Sequence, residues 1–337
     1  MDNNVNIALI GPGRMGVNYA KVIIQNPNAR LVAICGNTVA NTEKNAASFS
    51  VPLYFNNAWN EMFANHPEID TVLITTSEWA HLEPFKAALQ HGKNIIIEKP
   101  VAVDPASYEE MEILASLYPS LKILVCFTCR FDNRYLQAKK FIDSNDFGKI
   151  GYIYSRRNAD VKTASRILGK FPTPYWIIVH DIDLMRWITG SEVLEVSAVE
   201  SSISNKGNFL SVRLLFENGV AGVIESTFYS EPVSGQDHTR MDIECEKGKI
   251  ELKLSDSGVN AFHSVNGIET PDVNDFVDIH GQFTGNTPVM INHFIEVLRD
   301  KIKPVVNFSD GLTAVKISKA IQQSIELRSS VSISDHH

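Results

Sequence analysis

Read for hydrophobic spacing, the first 126 residues alternate between short apolar runs and stretches of helical period. The runs are Val5 to Ile10, Arg30 to Cys35, Leu53 to Phe55, Asp70 to Thr76, Asn94 to Ile97 and Lys122 to Cys126. Short apolar runs closed by polar or glycine-containing turns predict buried strands. Between them, Val17 to Ile23, Ala40 to Ser48, Ala58 to Ala64, Trp79 to His91 and the segment from Asp104-Pro105 through Leu117 have helical spacing, with Asp104 as a cap and Gly92 as a stop. Strands alternating with helices in this way predict an α/β unit built on a doubly wound parallel sheet.

After Phe131 the pattern changes. A helix through Ser144 and a turn at Gly148-Lys149-Ile150-Gly151 lead into strand-like stretches at Tyr152 to Arg157, Val193 to Ser201, Phe209 to Phe216, Val220 to Phe228, Arg240 to Glu246 and Lys249 to Leu254. Asn218-Gly219 and Lys247-Gly248 are hairpin signals, so this second sheet is expected to be largely antiparallel, in an α+β domain interrupted by one helix from Tyr175 to Thr189. The expected domains are residues 1–126 and 127–337. Apolar residues on both faces of the Phe209 to Phe216 and Val220 to Phe228 strands leave one sheet face to be covered, which predicts a homo-oligomer, dimer or tetramer, packed sheet to sheet.

Composition narrows the class of partner. A chain of 337 residues suits two domains, and a net charge of −8 with no basic block argues against nucleic acid. The apolar runs stop well short of the roughly 18 residues of a membrane span. The N-terminus lacks a basic stretch followed by an apolar one, so a cytoplasmic protein is expected. Of the four cysteines only Cys126 and Cys129 are closely spaced, with no second pair, so they read as thiols near a strand end and no metal is expected.

The candidate chemistry begins at Gly11-Pro12-Gly13-Arg14-Met15-Gly16, a G-x-G-x-x-G run with a strand before it and a helix after it. In that setting the first glycine allows a tight turn, the second lets the backbone approach a pyrophosphate, and the third permits close helix packing, which predicts a Rossmann dinucleotide site. About 20 residues further on, where NAD-binding folds place an acid on the ribose, stands Gly36, followed by Asn37 and Thr38. Absence of that acid leaves NAD or NADP open with a slight lean to NADP, for whose 2′-phosphate Arg14 or Lys44 is the available cation. A second candidate is Asn94-Ile95-Ile96-Ile97-Glu98-Lys99-Pro100, which places a lysine at the carboxyl end of a buried strand, where desolvation lowers an amine's pKa toward the range useful for proton transfer. The third is His180 with Asp183 three residues later on one helical face.

These motifs together resemble the Gfo/Idh/MocA oxidoreductases. The resemblance rests on the glycine turn, on Glu98-Lys99-Pro100, on Arg130-Phe131 followed by Gly148-Lys149-Ile150-Gly151, on His180-Asp181-Ile182-Asp183, and on Phe308-Ser309-Asp310-Gly311-Leu312 with Ala320 and Ser324 behind it. It implies a nicotinamide-dependent oxidoreductase acting on a hydroxyl of a sugar, cyclitol or nucleotide sugar, with Lys99 and His180 as the catalytic pair. Candidate cofactor contacts are Gly11, Gly13, Arg14, Met15, Gly16, Gly36, Asn37, Thr38, Thr75, Thr76, His81, Glu98 and Lys99. Candidate substrate contacts are Lys99, Arg157, Trp176 and His180, with ring contacts expected from the Asp160 to Tyr175 loop. One position departs from the pattern: many members carry an aspartate four residues before the histidine, where this chain has Trp176, whose face suits the C–H side of a sugar ring. Two alternatives stay open at this point, an NAD-dependent glycosidase of the same fold and a non-catalytic dinucleotide-binding regulator.

Overall fold

The computed structural model describes residues 4–159, 165, 169–204, 207–228, 239–254, 261–263, 267–269 and 273–333. Of the expected substrate loop, residues 160–164 and 166–168 lie outside these. The chain divides into two compact units, Met1–Phe131 with Asn274–Leu312, and Asp132–Val273 with Thr313–His337.

The first unit holds β1 (Val5–Ile10), β2 (Ala29–Cys35), β3 (Leu53–Tyr54), β4 (Thr71–Ile74), β5 (Asn94–Ile97) and β6 (Ile123–Val125) in one parallel sheet of order β3-β2-β1-β4-β5-β6. Ile7 to Ile10, Val72 to Ile74 and Ile95 to Ile97 are buried. Continuous apolar runs of this kind are what a sheet covered on both faces requires. The connecting helices are α1 (Arg14–Gln25), α2 (Val39–Ala46), α3 (Trp59–Asn65), α4 (Leu82–Gln90) and α5 (Pro105–Ser116). Asp104 caps α5 as expected, accepting from the Ser107 N–H at 2.9 Å, with Pro105 in the first turn.

The second unit begins with α6 (Asn133–Asp143) and holds β7 (Ile150–Arg156), α7 (Val179–Thr189), β8 (Val193–Ser204), β9 (Gly207–Phe216), β10 (Ala221–Thr227), β11 (Arg240–Cys245) and β12 (Gly248–Lys253), followed by a short hairpin of β13 (Ala261–His263) and β14 (Gly267–Glu269). With β17 (Val331–Ser332) the main sheet runs β12-β11-β7-β10-β9-β8-β17, antiparallel except where β10 meets β7. The helix expected from Tyr175 starts later, at Val179. Thr173–Tyr175 winds as a separate 3₁₀ turn around Pro174, and Trp176 follows it with the Trp176 N–H donating to the Thr173 carbonyl at 3.3 Å.

Besides β13, β14 and β17, the elements between residues 277 and 327 had no counterpart in the hydrophobic pattern. The hairpin of β15 (Val277–Ile279) and β16 (Gln282–Thr284) and helix α8 (Asn286–Leu298) belong to the first unit, and α9 (Phe308–Leu327) carries the division between the units. Helix α8 packs on α1, where the Asn26 amide donates to Asn292 at 2.8 Å and Gln25 to the Gly281 carbonyl at 2.6 Å. The Arg130 and Asp310 motifs meet here: the buried guanidinium donates to the Val305 carbonyl at 2.7 Å and to Asp310 at 2.9 Å. Gly311 closes this join, since a Cβ there would stand 2.8 Å from Val101 and 2.9 Å from Val125.

Candidate active site

Register across the parallel sheet explains why residues far apart in sequence share one place. Cys35 pairs with Ile10, Ile10 with Ile74, Ile74 with Ile97 and Ile97 with Val125. Five strands therefore end at one level, and the next residue of each, Gly36, Gly11, Thr75, Glu98 and Cys126, stands at the carboxyl edge. The order of strands reverses between β1 and β4. A crevice at such a reversal is where open α/β sheets bind ligands.

A cavity of about 800 Å³ opens there, within the usual range for a cofactor site. Gly11, Gly13, Gly36, Asn37, Thr38, Thr75 and Thr76 all line it. The three turn glycines differ in kind. Gly11 has φ +90°, and a Cβ on it would sit 2.6 Å from the Thr76 nitrogen. A Cβ on Gly16 would meet the Thr75 hydroxyl at 2.4 Å and the Gly11 carbonyl at 2.7 Å, so both glycines are required by the protein itself. Gly13 has extended backbone, and a Cβ there would meet nothing within 4 Å. It is the N-cap of α1, with no side-chain cap and no acid in the first turn. Helix N–H groups without a capping side chain, beside a glycine facing open space, suit a pyrophosphate. The site thus fits a dinucleotide.

Thr75 and His81 shape this wall from behind. The Thr75 hydroxyl donates to the Gly11 carbonyl at 2.6 Å, fixing the turn to the end of β4. His81 is buried, its ring nitrogens 3.3 Å from the Val101 and Thr76 carbonyls, and burial lowers its pKa despite those partners. Arg14, Met15, Gly16, His81, Glu98 and Lys99 are not among the residues lining the cavity. Gly36 is fixed by packing, because a Cβ there would fall 1.9 Å from the Thr42 hydroxyl. A ribose-facing acid thus has no room at position 36.

Beyond β5, the Glu98 carboxylate accepts from the Tyr19 hydroxyl of α1 and from the Lys99 N–H, the latter at 2.9 Å. Burial raises the Glu98 pKa, and the Lys99 charge opposes that rise. Burial, then the Glu98 charge, push the Tyr19 hydroxyl and the Cys126 thiol upward. Lys99 itself is half-buried, directly past the row of strand ends.

In the second unit His180 lies in the first turn of α7, half-buried, with Asp181 and Asp183 fully buried beside it. Arg157, just past β7, donates through Nε to Asp181 Oδ2 at 2.8 Å and through Nη2 to Asp181 Oδ1 at 3.2 Å and to the Tyr135 hydroxyl at 2.9 Å. Ser155 donates to the same carboxylate at 2.5 Å. This network ties the start of α7 to the sheet. Trp176 is 8% exposed and packs with Phe228 and Ala159, ring centroids 6.0 Å apart for the aromatic pair.

Two family models match the chain: "Oxidoreductase family, NAD-binding Rossmann fold" over residues 5–125 and "Oxidoreductase family, C-terminal alpha/beta domain" over residues 139–333. The chain belongs to the Gfo/Idh/MocA oxidoreductase family. It is 23% identical to an inositol 2-dehydrogenase of Rhizobium meliloti, covering 98% of this chain and 99% of the relative. It is 25% identical to the NAD(+)-dependent scyllo-inositol 2-dehydrogenase of Bacillus subtilis, covering 96% and 95%. Its fold matches that of the Lactobacillus casei scyllo-inositol dehydrogenase solved with NAD(H) and scyllo-inositol, with a TM-score of 0.80 at 20% identity, over 98% of this chain and 99% of that one. This Gfo/Idh/MocA protein is accordingly an oxidoreductase with an NAD-binding Rossmann domain. The slight lean to NADP finds no support in these matches.

Sequence reasoning missed the rest of the cavity wall, including Asn41, Asn45, Asn57, Trp59, Ser77, Trp79 and Glu83. The usable signal was the turn after β4, since the first residues beyond a strand at a chain reversal face the ligand.

Proposed function

We propose that this protein is an NAD-dependent dehydrogenase of a cyclitol or a related sugar, converting a ring CH–OH to the carbonyl. The observation that carries the reading is that Lys99 follows the same row of strand ends as the glycine cradle. The inositol dehydrogenases among the relatives agree with it, and they do not favour the glycosidase or the non-catalytic alternative. NAD, when bound, supplies the hydride acceptor.

Gly13 and the uncapped N–H groups of α1 hold the pyrophosphate, and Asn37 and Thr38 face the adenosine ribose. Lys99, half-buried just past the end of β5, takes the hydroxyl proton as the carbonyl forms. His180 hydrogen-bonds the substrate oxygen. Arg157 and Trp176 serve the substrate side, the one by holding Asp181 in the first turn of α7 and the other from its packing with Phe228 and Ala159. Cofactor binding falls to the part through residue 126, substrate binding and assembly to the part that follows it.

The assembly proposed is a homo-oligomer over the second unit's sheet, where exposed Tyr152, Ala221 and Leu215 form one row across β7, β10 and β9. A light-scattering mass of one chain at micromolar concentration refutes that. No helix among the described residues is long and apolar enough to cross a membrane, and all four cysteines are free thiols, which suits the cytoplasm as the compartment. The test of the function is a panel of inositols, sugars and nucleotide sugars with NAD and NADP, followed at the absorbance of the reduced nicotinamide. A protein that binds NADH yet reduces NAD with none of them is not this dehydrogenase.

A further inference from the structure

We infer that Trp79 is the stacking platform for the adenine ring of the dinucleotide, an assignment that rests on the NAD reading above. A dinucleotide whose pyrophosphate lies at Gly13 extends its adenosine half toward the carboxyl end of β2. That end of the cavity is walled on one side by Gly36, Asn37, Thr38, Asn41, Lys44 and Asn45, all small or polar. No carboxylate stands at the end of β2 to grip the ribose, and the space at position 36 is closed by Thr42. That wall offers hydrogen-bonding groups but no flat apolar face for the base, which leaves the adenine ring to the opposite wall.

The turn after β4 supplies that wall, with Ser77, Trp79, Ala80 and Glu83 lining the same cavity. Trp79 is 51% exposed, and of the exposed large apolar residues described it is the one that lines this cavity. A half-exposed indole beside a ligand space offers a large flat face to a purine, and base-on-aromatic stacking tolerates any polar contacts at the ring edge. The platform is also held rigidly. The Ala80 N–H donates to the Ser77 carbonyl at 2.8 Å, the Thr76 hydroxyl to the Ala80 carbonyl at 3.0 Å, and the buried His81 ring lies 3.3 Å from both the Thr76 and Val101 carbonyls. A preordered turn loses little freedom when a ligand settles on it, so more of the stacking appears as affinity. His81, which does not line the cavity, acts as a positioning residue for this turn.

The test separates the two halves of the cofactor. Dissociation constants for NADH, for AMP and for nicotinamide mononucleotide are measured on the native protein and on the Trp79→Ala, Trp79→Phe and Trp59→Ala variants, with circular dichroism to confirm folding. Trp79→Ala is expected to weaken NADH and AMP by about tenfold, as loss of one stacking contact does. It should leave nicotinamide mononucleotide unchanged, and Trp79→Phe should recover most of the affinity. Unchanged AMP binding in Trp79→Ala overturns the platform while leaving the NAD reading intact. An equal loss for both halves, or a loss confined to Trp59→Ala, overturns it too. A native protein that binds no NADH overturns the NAD reading and the platform together.

Discussion

Replacing Gly13 by valine distinguishes a glycine needed by the ligand from glycines needed by the fold. Gly13 has φ −77° and ψ −172°, extended backbone that any residue adopts, and its Cβ would meet nothing within 4 Å. The protein should tolerate the side chain, at a cost below about 1 kcal/mol for a poorer helix N-cap. The valine methyls would instead occupy cavity space where the pyrophosphate approaches, so NADH binding should weaken at least about tenfold, or ~1.4 kcal/mol. Gly16→Ala should behave in the opposite way: its Cβ would lie 2.4 Å from the Thr75 hydroxyl and 2.7 Å from the Gly11 carbonyl. Overpacking of that kind costs about 1–3 kcal/mol of folding free energy. Urea unfolding and NADH titration on both variants read the two effects separately. A folded Gly13→Val protein with native NADH affinity would refute the placement of the pyrophosphate.

Three further outcomes are expected. Asn37→Asp puts a carboxylate at the exposed position where Gly36 has no room for one, and should raise the preference for NAD over NADP by about tenfold, ~1.4 kcal/mol; an unchanged ratio of kcat/KM values would show that the ribose lies elsewhere. Arg157→Ala leaves the fully buried Asp181 carboxylate without its ion pair and should cost about 3 kcal/mol in urea unfolding, with Arg157→Lys recovering part of it; a loss under about 1 kcal/mol would mean that Asp181 is satisfied without the arginine. His81 has its folded pKa lowered by burial, so below the ordinary value of about 6.5 the unfolded chain binds the extra proton first. Its contribution to stability is thus present above that pH and lost as pH falls toward the folded value, and His81→Gln should flatten this acid limb in thermal unfolding; identical limbs in both proteins would contradict it.

Much of the first unit could be read from the chain because its strands are buried on both faces. Ile95-Ile96-Ile97 cannot alternate with polar residues, and the abrupt change to Glu98-Lys99 marks the sheet edge. The glycine turn was legible for a similar reason, since its context is local: strand, turn and helix lie within Val5 to Gln25. Relations made by long-range packing were not legible. Nothing in the spacing of residues 286–298 says that this helix joins a unit begun 280 residues earlier. Gly36 looked like a cofactor position with an acid missing, whereas its lack of a side chain is set by Thr42. Arg157 was a candidate substrate contact, and only the folded chain shows its guanidinium on Asp181 and Tyr135. Trp176, offered as a ring-stacking face, lies packed among Phe228 and Ala159. Trp79 drew no attention because a tryptophan at a helix start in sequence becomes informative only when its exposure beside the cavity is known.

The central claim is that Lys99 moves the hydroxyl proton of a cyclitol-like alcohol while NAD accepts the hydride. The most direct measurement is NAD reduction with myo- and scyllo-inositol by the native protein and by Lys99→Met, alongside NADH affinity for both. The account predicts turnover by the native protein with at least one inositol. Lys99→Met should keep NADH binding and lose about 100-fold or more in kcat, the usual range for a general acid or base. Native-like kcat in the variant, or a native protein that binds NADH and oxidises neither inositol nor any related polyol, would contradict it.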